Sequence, residues 1–447
     1  MSIIIPFKGI RYDLRKGGEL ADLIAPPYDI INARKTKELR SRSPDNVVRL
    51  ILPEEKAGDD ARNNKYSRAA ALWEQWRRDG TLALDPTPRL YRYMTSFSLK
   101  TTEGIVARDR PGFVALMQLH EYSEGKVLPH ERTLAGPKQD RFQLMAHTRA
   151  HLSQVFMLYS DPAGAVDRAL GLKPPAGTQS LSAEDDAGVT HLMWPVEDQE
   201  AIAEAARVIS AGPVYIADGH HRYETALAYR RHVRQTSPLF AAGTDHVMAY
   251  FTPAEHPGLV IFPYHRLLHN LPKRRFSGLL KKLENYFQID RALVSPLDPG
   301  AARREFIASL QERGRERTVF GMVDGINGHA YYLSVQPDAR LARGANTPAD
   351  SALASLDVVI LEDLILIGMM DVKPKDLLNE KYVSYETDYD RTLDAVQKKE
   401  NQMAFLMNPT PVGDVIKVAD LAGIMPEKST YFFPKLATGL VMNSMDP

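Results

Sequence analysis

The sequence contains no cysteine. That removes disulfides, thiolate nucleophiles and Cys-ligated zinc or iron–sulfur centres, and it fits a reducing compartment. Net charge is also missing. Lys and Arg number 56 against 56 Asp and Glu, so no global field draws the chain to nucleic acid or to an anionic membrane. The longest apolar run, Val358–Met370, is broken by Glu362 and Asp363 and reads as a core helix, too short to span a bilayer. The opening Met-Ser-Ile-Ile-Ile-Pro is too short for a signal peptide, so a cytoplasmic protein is expected. The Walker pattern Gly-x4-Gly-Lys-[Ser/Thr], a protein-kinase catalytic loop, the pair His-Glu-x-x-His and a helix-turn-helix are absent, as are repeats and low-complexity segments. What is left, 44% hydrophobic and 25% charged over 447 residues, is the composition of a soluble protein of two or three domains or one elaborated α/β unit.

Chemistry concentrates in residues 213–229. Val214, Tyr215, Ile216 and Ala217 form an apolar run of strand formers, and from Arg222 the pattern turns helical, with Tyr223, Ala226, Leu227 and Arg230 on one face. Between them lie Asp218, Gly219, His220 and His221. A strand that turns through glycine into a helix aims free backbone N–H groups and the positive end of the helix dipole at one spot. With two imidazoles and the Arg222 guanidinium beside it, that spot suits an anion. The bland alternative is that Asp218 caps the helix and the histidines satisfy the core.

Ala217-Asp218-Gly219-His220-His221-Arg222-Tyr223 resembles the signature of a prokaryotic family known only as a domain of unknown function, the DUF ten-fifteen family. More distantly, the stretch is similar to the Gly-x-His-Arg turn of the ParB/sulfiredoxin-like fold, which includes free serine kinases and in which the turn holds nucleotide phosphates. The resemblance implies an α/β (α+β mixed) protein, in which a mixed sheet with that strand-turn-helix core carries an accessory α+β region. It extends to Pro26-Pro27-Tyr28-Asp29, to the stretch around His130, Glu131 and Thr133, to Pro263-Tyr264-His265-Arg266 and to the tail 425–440, and so implies that these segments serve the same site.

In chain order, Ile3–Phe7 reads as a strand, and Asp29 follows a turn stiffened by two prolines, where it either caps a helix or faces the site. Asn46–Pro53 reads as a strand, and Arg62–Arg78 as a helix with Trp73 and Trp76 as core. His130 and Glu131 stand at a loop-to-helix junction, either as a carboxylate–imidazole pair in a pocket or as ordinary capping groups. Lys138 and Arg141, one turn apart on the next helix, are placed to meet phosphate oxygens or simply water. The polar stretch 160–188 is expected to be an exposed connector. From Arg274 charged helices alternate with strands, including a helix over Arg274–Phe287 and a hairpin about Asp324–Gly328. In the tail, Lys428, Ser429 and Thr430 offer an ammonium and two hydroxyls. The expected organisation is an N-terminal part of the core at 1–160, a connector at 161–188, the signature part at 189–272, and an accessory region at 273–447 whose tail returns to the core.

Phosphoryl transfer from ATP or ADP with magnesium to a small hydroxylated metabolite needs a phosphate cradle, cations, a metal carboxylate and a base. Gly219, His220, His221 and Arg222 are expected to form the cradle, with Lys138, Arg141 and Lys428 as further cations. Asp218 is the expected metal carboxylate, and Glu131 or Asp29 the base, with His130 beside it. Two alternatives stay open. One is a metal-dependent hydrolase in which His220 or His221 shares an ion with Glu224, and the other is a regulatory protein that senses a nucleotide or phosphorylated metabolite without turnover. A nucleotide and a small molecule are the expected partners, with neither nucleic acid nor membrane.

Overall fold

In a computed structural model, which describes residues 3–16, 18–101, 104–131, 133, 135–337 and 352–446, the main layer is a nine-stranded mixed sheet. Its strands are β1 (Ile4–Ile5), β2 (Leu90–Thr101), β3 (Gly104–Gln118), β4 (Val127–Leu128), β5 (Val155–Tyr159), β6 (Leu181–Glu184), β7 (Thr190–Val196), β8 (Val214–Asp218) and β9 (His246–Pro253). They run in the order β4-β8-β5-β9-β3-β2-β7-β6, with β1 pairing β3. The apolar run at 214–217 is an interior strand, parallel to β4 and antiparallel to β5.

Alternation along β8 feeds both faces of the sheet. Val214 and Ile216 join a core with Tyr223, Ala226 and Leu227 of the helix that follows, while Tyr215 and Ala217 face a second core containing Tyr250, Phe432 and Ala437. Full burial of a side chain such as Ile216 stabilises by about 1.5–3 kcal/mol. Among the helices, α1 (Lys65–Arg78) packs on α2 (Ala135–Thr148) and α2 on α4 (His220–Thr236), while α3 (Gln199–Ile209) packs on the Ala165–Leu170 helix. Trp73 and Trp76 of α1 are core residues, as expected.

A six-stranded sheet follows, built from β10 (His265–Leu268), β11 (Phe287–Arg291), β12 (Val319–Asp324), β13 (His329–Val335), β14 (Val383–Glu386) and β15 (Met403–Leu406). Its order is β11-β13-β12-β15-β10-β14, and the hairpin about Asp324–Gly328 joins β12 to β13. The tail then crosses back. Tyr431–Phe433 pairs with Val260–Phe262, the Ala437 amide donates to the Tyr93 hydroxyl, and Asn443–Ser444 pairs with Ala150–His151.

Four local expectations are corrected. Asn46–Pro53 is not a strand; Val48–Ile51 is a helical turn, because the buried Asn46 side chain accepts the Val48 amide at 2.9 Å and donates to the carbonyls of Asp22 and Ile24. The supposed connector 160–188 holds a helix, Ala165–Leu170, and strand β6, which pairs with β7. Arg274–Phe287 is not one helix, since Gly278 at φ +71° precedes a short Leu279–Leu283 helix and the chain then extends into β11. The core helix before Met370 is wound as a π-helix over Ile360–Met369.

Candidate functional site

β8 delivers Asp218 to its carboxyl end, Gly219 turns the chain at φ +91°, and α4 begins at His220. Glycine is required here twice over: the backbone is left-handed, and a Cβ would lie 2.8 Å from Arg222 Nε. One helical turn on, Arg222 reaches back to donate to Asp218 Oδ2 at 2.6 Å and to the Gln154 carbonyl. Lys435 donates to the other oxygen, Oδ1. Burial pushes the Asp218 carboxyl up, but Lys435 and Arg222 outweigh it and hold the group at about 2.

Behind this ion triad two imidazoles meet edge to face, with the His130 and His220 rings 4.8 Å apart. Both are almost wholly buried, and burial lowers both, His130 to about 4. The His130 amide points at His220 Nε2 at 3.4 Å, which assigns the ring proton to Nδ1. That nitrogen stands 4.0 Å from Glu131 Oε2. Glu131 Oε1 accepts the Lys428 amide at 3.0 Å, and His130 Nε2 lies 3.1 Å from Thr430 Oγ1. Burial is the largest influence on Glu131 and raises it to about 7. A carboxyl poised there switches between proton acceptor and donor at neutral pH.

At the mouth of the cleft, Asp29 is exposed, and its charge acts on both His221 and Lys435. Burial lowers His221, against the pull of Asp29 and Glu224. Lys138 donates to Glu224 Oε2 at 2.9 Å, and Thr133 to the same oxygen at 2.7 Å. Aromatic rings wall the side formed by the tail. Tyr264 and Tyr431 meet at 5.7 Å, with the Lys428 ammonium 5.5 Å from the Tyr264 ring and the Lys435 ammonium 4.5 Å from that of Tyr431.

The structure thus brings His130, Glu131, Asp218, Gly219, His220, Arg222 and the Lys428 backbone together, with Asp29, Lys138 and His221 alongside. Two residues expected here are turned elsewhere. Arg141 donates to the Ile51 carbonyl at 2.7 Å, pairs with Asp140 and lies over the Tyr28 ring at 4.2 Å, so its donors hold the fold together. His265 is fully buried in the second sheet, accepting the Met407 amide at 3.1 Å beside Tyr389. The expected magnesium role of Asp218 does not fit either, because each oxygen already accepts from a cation that an incoming metal ion would face at short range. For the hydrolase alternative, Glu224 accepts from Thr133 and Lys138, and among the described residues no group of three or more His, Cys, Asp or Glu side chains is placed to hold a metal ion. Lys435 was not singled out from the sequence. Its only signal there is its place in the tail, directly after Pro434.

Among the described residues no helix is long and apolar enough to cross a membrane. No curated protein matches the chain. Among solved structures it is similar to a free serine kinase in complex with AMP, at 10% identity and a TM-score of 0.34, over 70% of this chain and 89% of that one. It is also similar to a conserved hypothetical protein from Pyrococcus furiosus, at 10% identity and a TM-score of 0.34, over 70% and 92%. SbnI with C-terminal truncation from Staphylococcus aureus matches at 9% identity and a TM-score of 0.35, over 73% and 85%. The family profile described as "Protein of unknown function (DUF1015)" matches residues 4–359, most of the chain though not its tail, and the protein belongs to that family.

Proposed function

We propose that this cleft binds the phosphates of an adenine nucleotide, ATP or ADP, at the head of α4 and transfers a phosphoryl group to the hydroxyl of a small metabolite. The observation that carries the reading is Glu131, a carboxyl raised to about 7 and standing 4.0 Å from the His220 ring beside a helix N-terminus. The first-turn backbone N–H groups of α4 and the positive end of its dipole favour phosphate oxygens. Lys428 and Lys138 add positive charge at the rim, and Asp218 acts by fixing Lys435 and Arg222 in place.

In the transfer, the acceptor oxygen forms a bond to phosphorus as the bond to the departing nucleotide oxygen breaks, and Glu131 takes the hydroxyl proton. His220, kept neutral by burial, presents Nδ1–H to that carboxylate once it is charged. No step is assigned to a metal ion, since Asp218 does not fit one.

A second reading, nucleotide sensing without turnover, draws on the pairing of Lys138 with Glu224 and of Lys435 with Asp218, which leaves less free positive charge for a transition state. Calorimetric titration with ATP, ADP, AMP and pyrophosphate, followed by phosphorus NMR with a panel of hydroxylated metabolites, tests both. Transfer that falls about 100-fold or more in Glu131→Gln, with folding intact, is expected. Binding without transfer to any acceptor would select the sensor, and the absence of nucleotide binding would end both readings.

A further inference from the structure

Tyr264 and Lys428 meet at the rim of the cleft, and one buried side chain holds the backbone of both. Arg266 lies on β10, an interior strand of the second sheet, where it stands opposite Tyr385 on one side and Phe405 on the other. It is fully buried. One terminal nitrogen donates to the Tyr264 carbonyl at 2.5 Å and the other to the Lys428 carbonyl at 3.3 Å, while Cζ lies 5.4 Å from the centre of the Tyr385 ring. Burying a guanidinium is costly, and here its donors go to main-chain carbonyls of two segments 164 residues apart. A planar fork of fixed donors can span both, which a single ammonium does not.

The grip falls on a strained residue. Lys428 has φ +57°, a left-handed conformation that a residue with a side chain keeps only where its surroundings impose it. That conformation serves the site, because the Lys428 amide donates to Glu131 Oε1. The turn is anchored at its start, where the Met425 amide donates to the His130 carbonyl, and closed within by the Ser429 hydroxyl on the Pro426 carbonyl. Arg266 supplies the contact on Lys428 itself.

We propose that Arg266 is a positioning residue for Glu131: by gripping the carbonyls of Tyr264 and Lys428 it locks the turn that aims the Lys428 amide at the carboxyl and sets the Lys428 ammonium against the Tyr264 ring. The inference rests on the reading of Glu131 as the base. It gives the second sheet a part in the chemistry, and it gives a role to the family-like Pro263–Arg266 stretch, whose histidine is turned into that sheet. Besides the amide, Glu131 faces His220 Nδ1 at 4.0 Å, the charges of Lys428, Lys435 and Asp218, and the Tyr264 phenol, with His130 beside it in the chain. Burial raises the carboxyl and the Lys428 amide is the first influence that lowers it, so loss of that hydrogen bond raises it further.

The test is an NMR titration of the full chain, isotope-labelled at glutamate carboxyls and main-chain nitrogens, without nucleotide. Glu131→Gln identifies the Glu131 signal. In the wild type the Lys428 amide should titrate in step with Glu131. In Arg266→Met the Glu131 midpoint should rise by about one pH unit, the tenfold in proton affinity that goes with one hydrogen bond to a charged group, and the Lys428 amide should no longer follow it. Arg266→Lys keeps the charge but not the fork; it should show the same two changes, and it decides alone if Arg266→Met does not fold. An unmoved midpoint in both variants, or a rise in Arg266→Met that is absent in Arg266→Lys, which would be charge acting at a distance, overturns the proposal. Turnover separates this inference from the reading beneath it. A pH midpoint of transfer that moves with the NMR midpoint supports both, whereas one that stays while the NMR midpoint moves removes Glu131 as the base and leaves Arg266 as the residue that positions the amide.

Discussion

Lys435→Met removes the ammonium that faces Asp218 Oδ1 and leaves the carboxylate, 14% exposed, with Arg222 alone. Holding Asp218 at about 2 instead of its ordinary 3.8 corresponds to about 2–3 kcal/mol. Lys435 is the larger of the two cationic influences. Removing one partner of a buried pair also strands the other, and such losses reach about 3–5 kcal/mol. The expected destabilisation at pH 7 is therefore about 2–3 kcal/mol, read from urea denaturation followed by far-ultraviolet circular dichroism. It should depend on pH in a defined direction. A carboxyl whose folded pKa is depressed stabilises above its unfolded value near 4 and loses that contribution as pH falls through about 2, so the penalty of Lys435→Met should shrink over that interval. Asp218→Asn placed on top of Lys435→Met removes the stranded charge and should recover part of the loss. A penalty that is the same at pH 7 and pH 3, with no recovery in the double variant, would refute the ion-triad account.

Glu131→Gln should lower transfer by 100-fold or more, and wild-type turnover should rise with pH with a midpoint near 7, a profile the variant lacks. The same raised carboxyl stabilises the fold below its unfolded value near 4.5 and loses that contribution as pH climbs through about 7, so Glu131→Gln should flatten stability between those values in denaturation curves. Gly219→Ala forces an unfavourable φ and a Cβ against Arg222, and should cost about 1–3 kcal/mol in denaturation while weakening nucleotide binding in calorimetry. His265→Leu leaves the Met407 amide unpaired, at a cost of about 1 kcal/mol, and should change nucleotide affinity by less than about twofold.

The signature was legible because it is local. Strand formers, one glycine and a helical repeat within seventeen residues specify a strand, a turn and a helix, and the fold places them so. His130 and Glu131 could be nominated from the family-like stretch, but their pairing with His220 depends on β4 lying parallel to β8, a contact across 90 residues. Arg141 was misjudged for a related reason. Its acceptor at Ile51 lies 90 positions away and its ring at Tyr28 further still, and nothing in the helix pattern separates a structural arginine from a phosphate ligand. The 46–53 segment failed because its consecutive apolar residues Val47, Val48, Leu50 and Ile51 are all buried, so their period cannot distinguish helix from strand. Lys435 was hidden by charge alone, since a single lysine in a tail reads as solvated until the partner 217 residues away is known.

That separation has a kinetic meaning. β8 and the start of α4 leave the ribosome 217 residues before Lys435 does. At about 5–20 residues per second, the delay is on the order of 10–40 s. Once His246–Pro253 has followed, all nine strands of the main sheet exist as sequence, while Asp218 has only Arg222 to face and Glu131 lacks the Lys428 amide. The tail, made last, therefore acts as a clasp. A chain that stalls before residue 428 can build the sheet yet expose an unclosed, anionic cleft, which quality-control proteases and chaperones would meet as a distinct species.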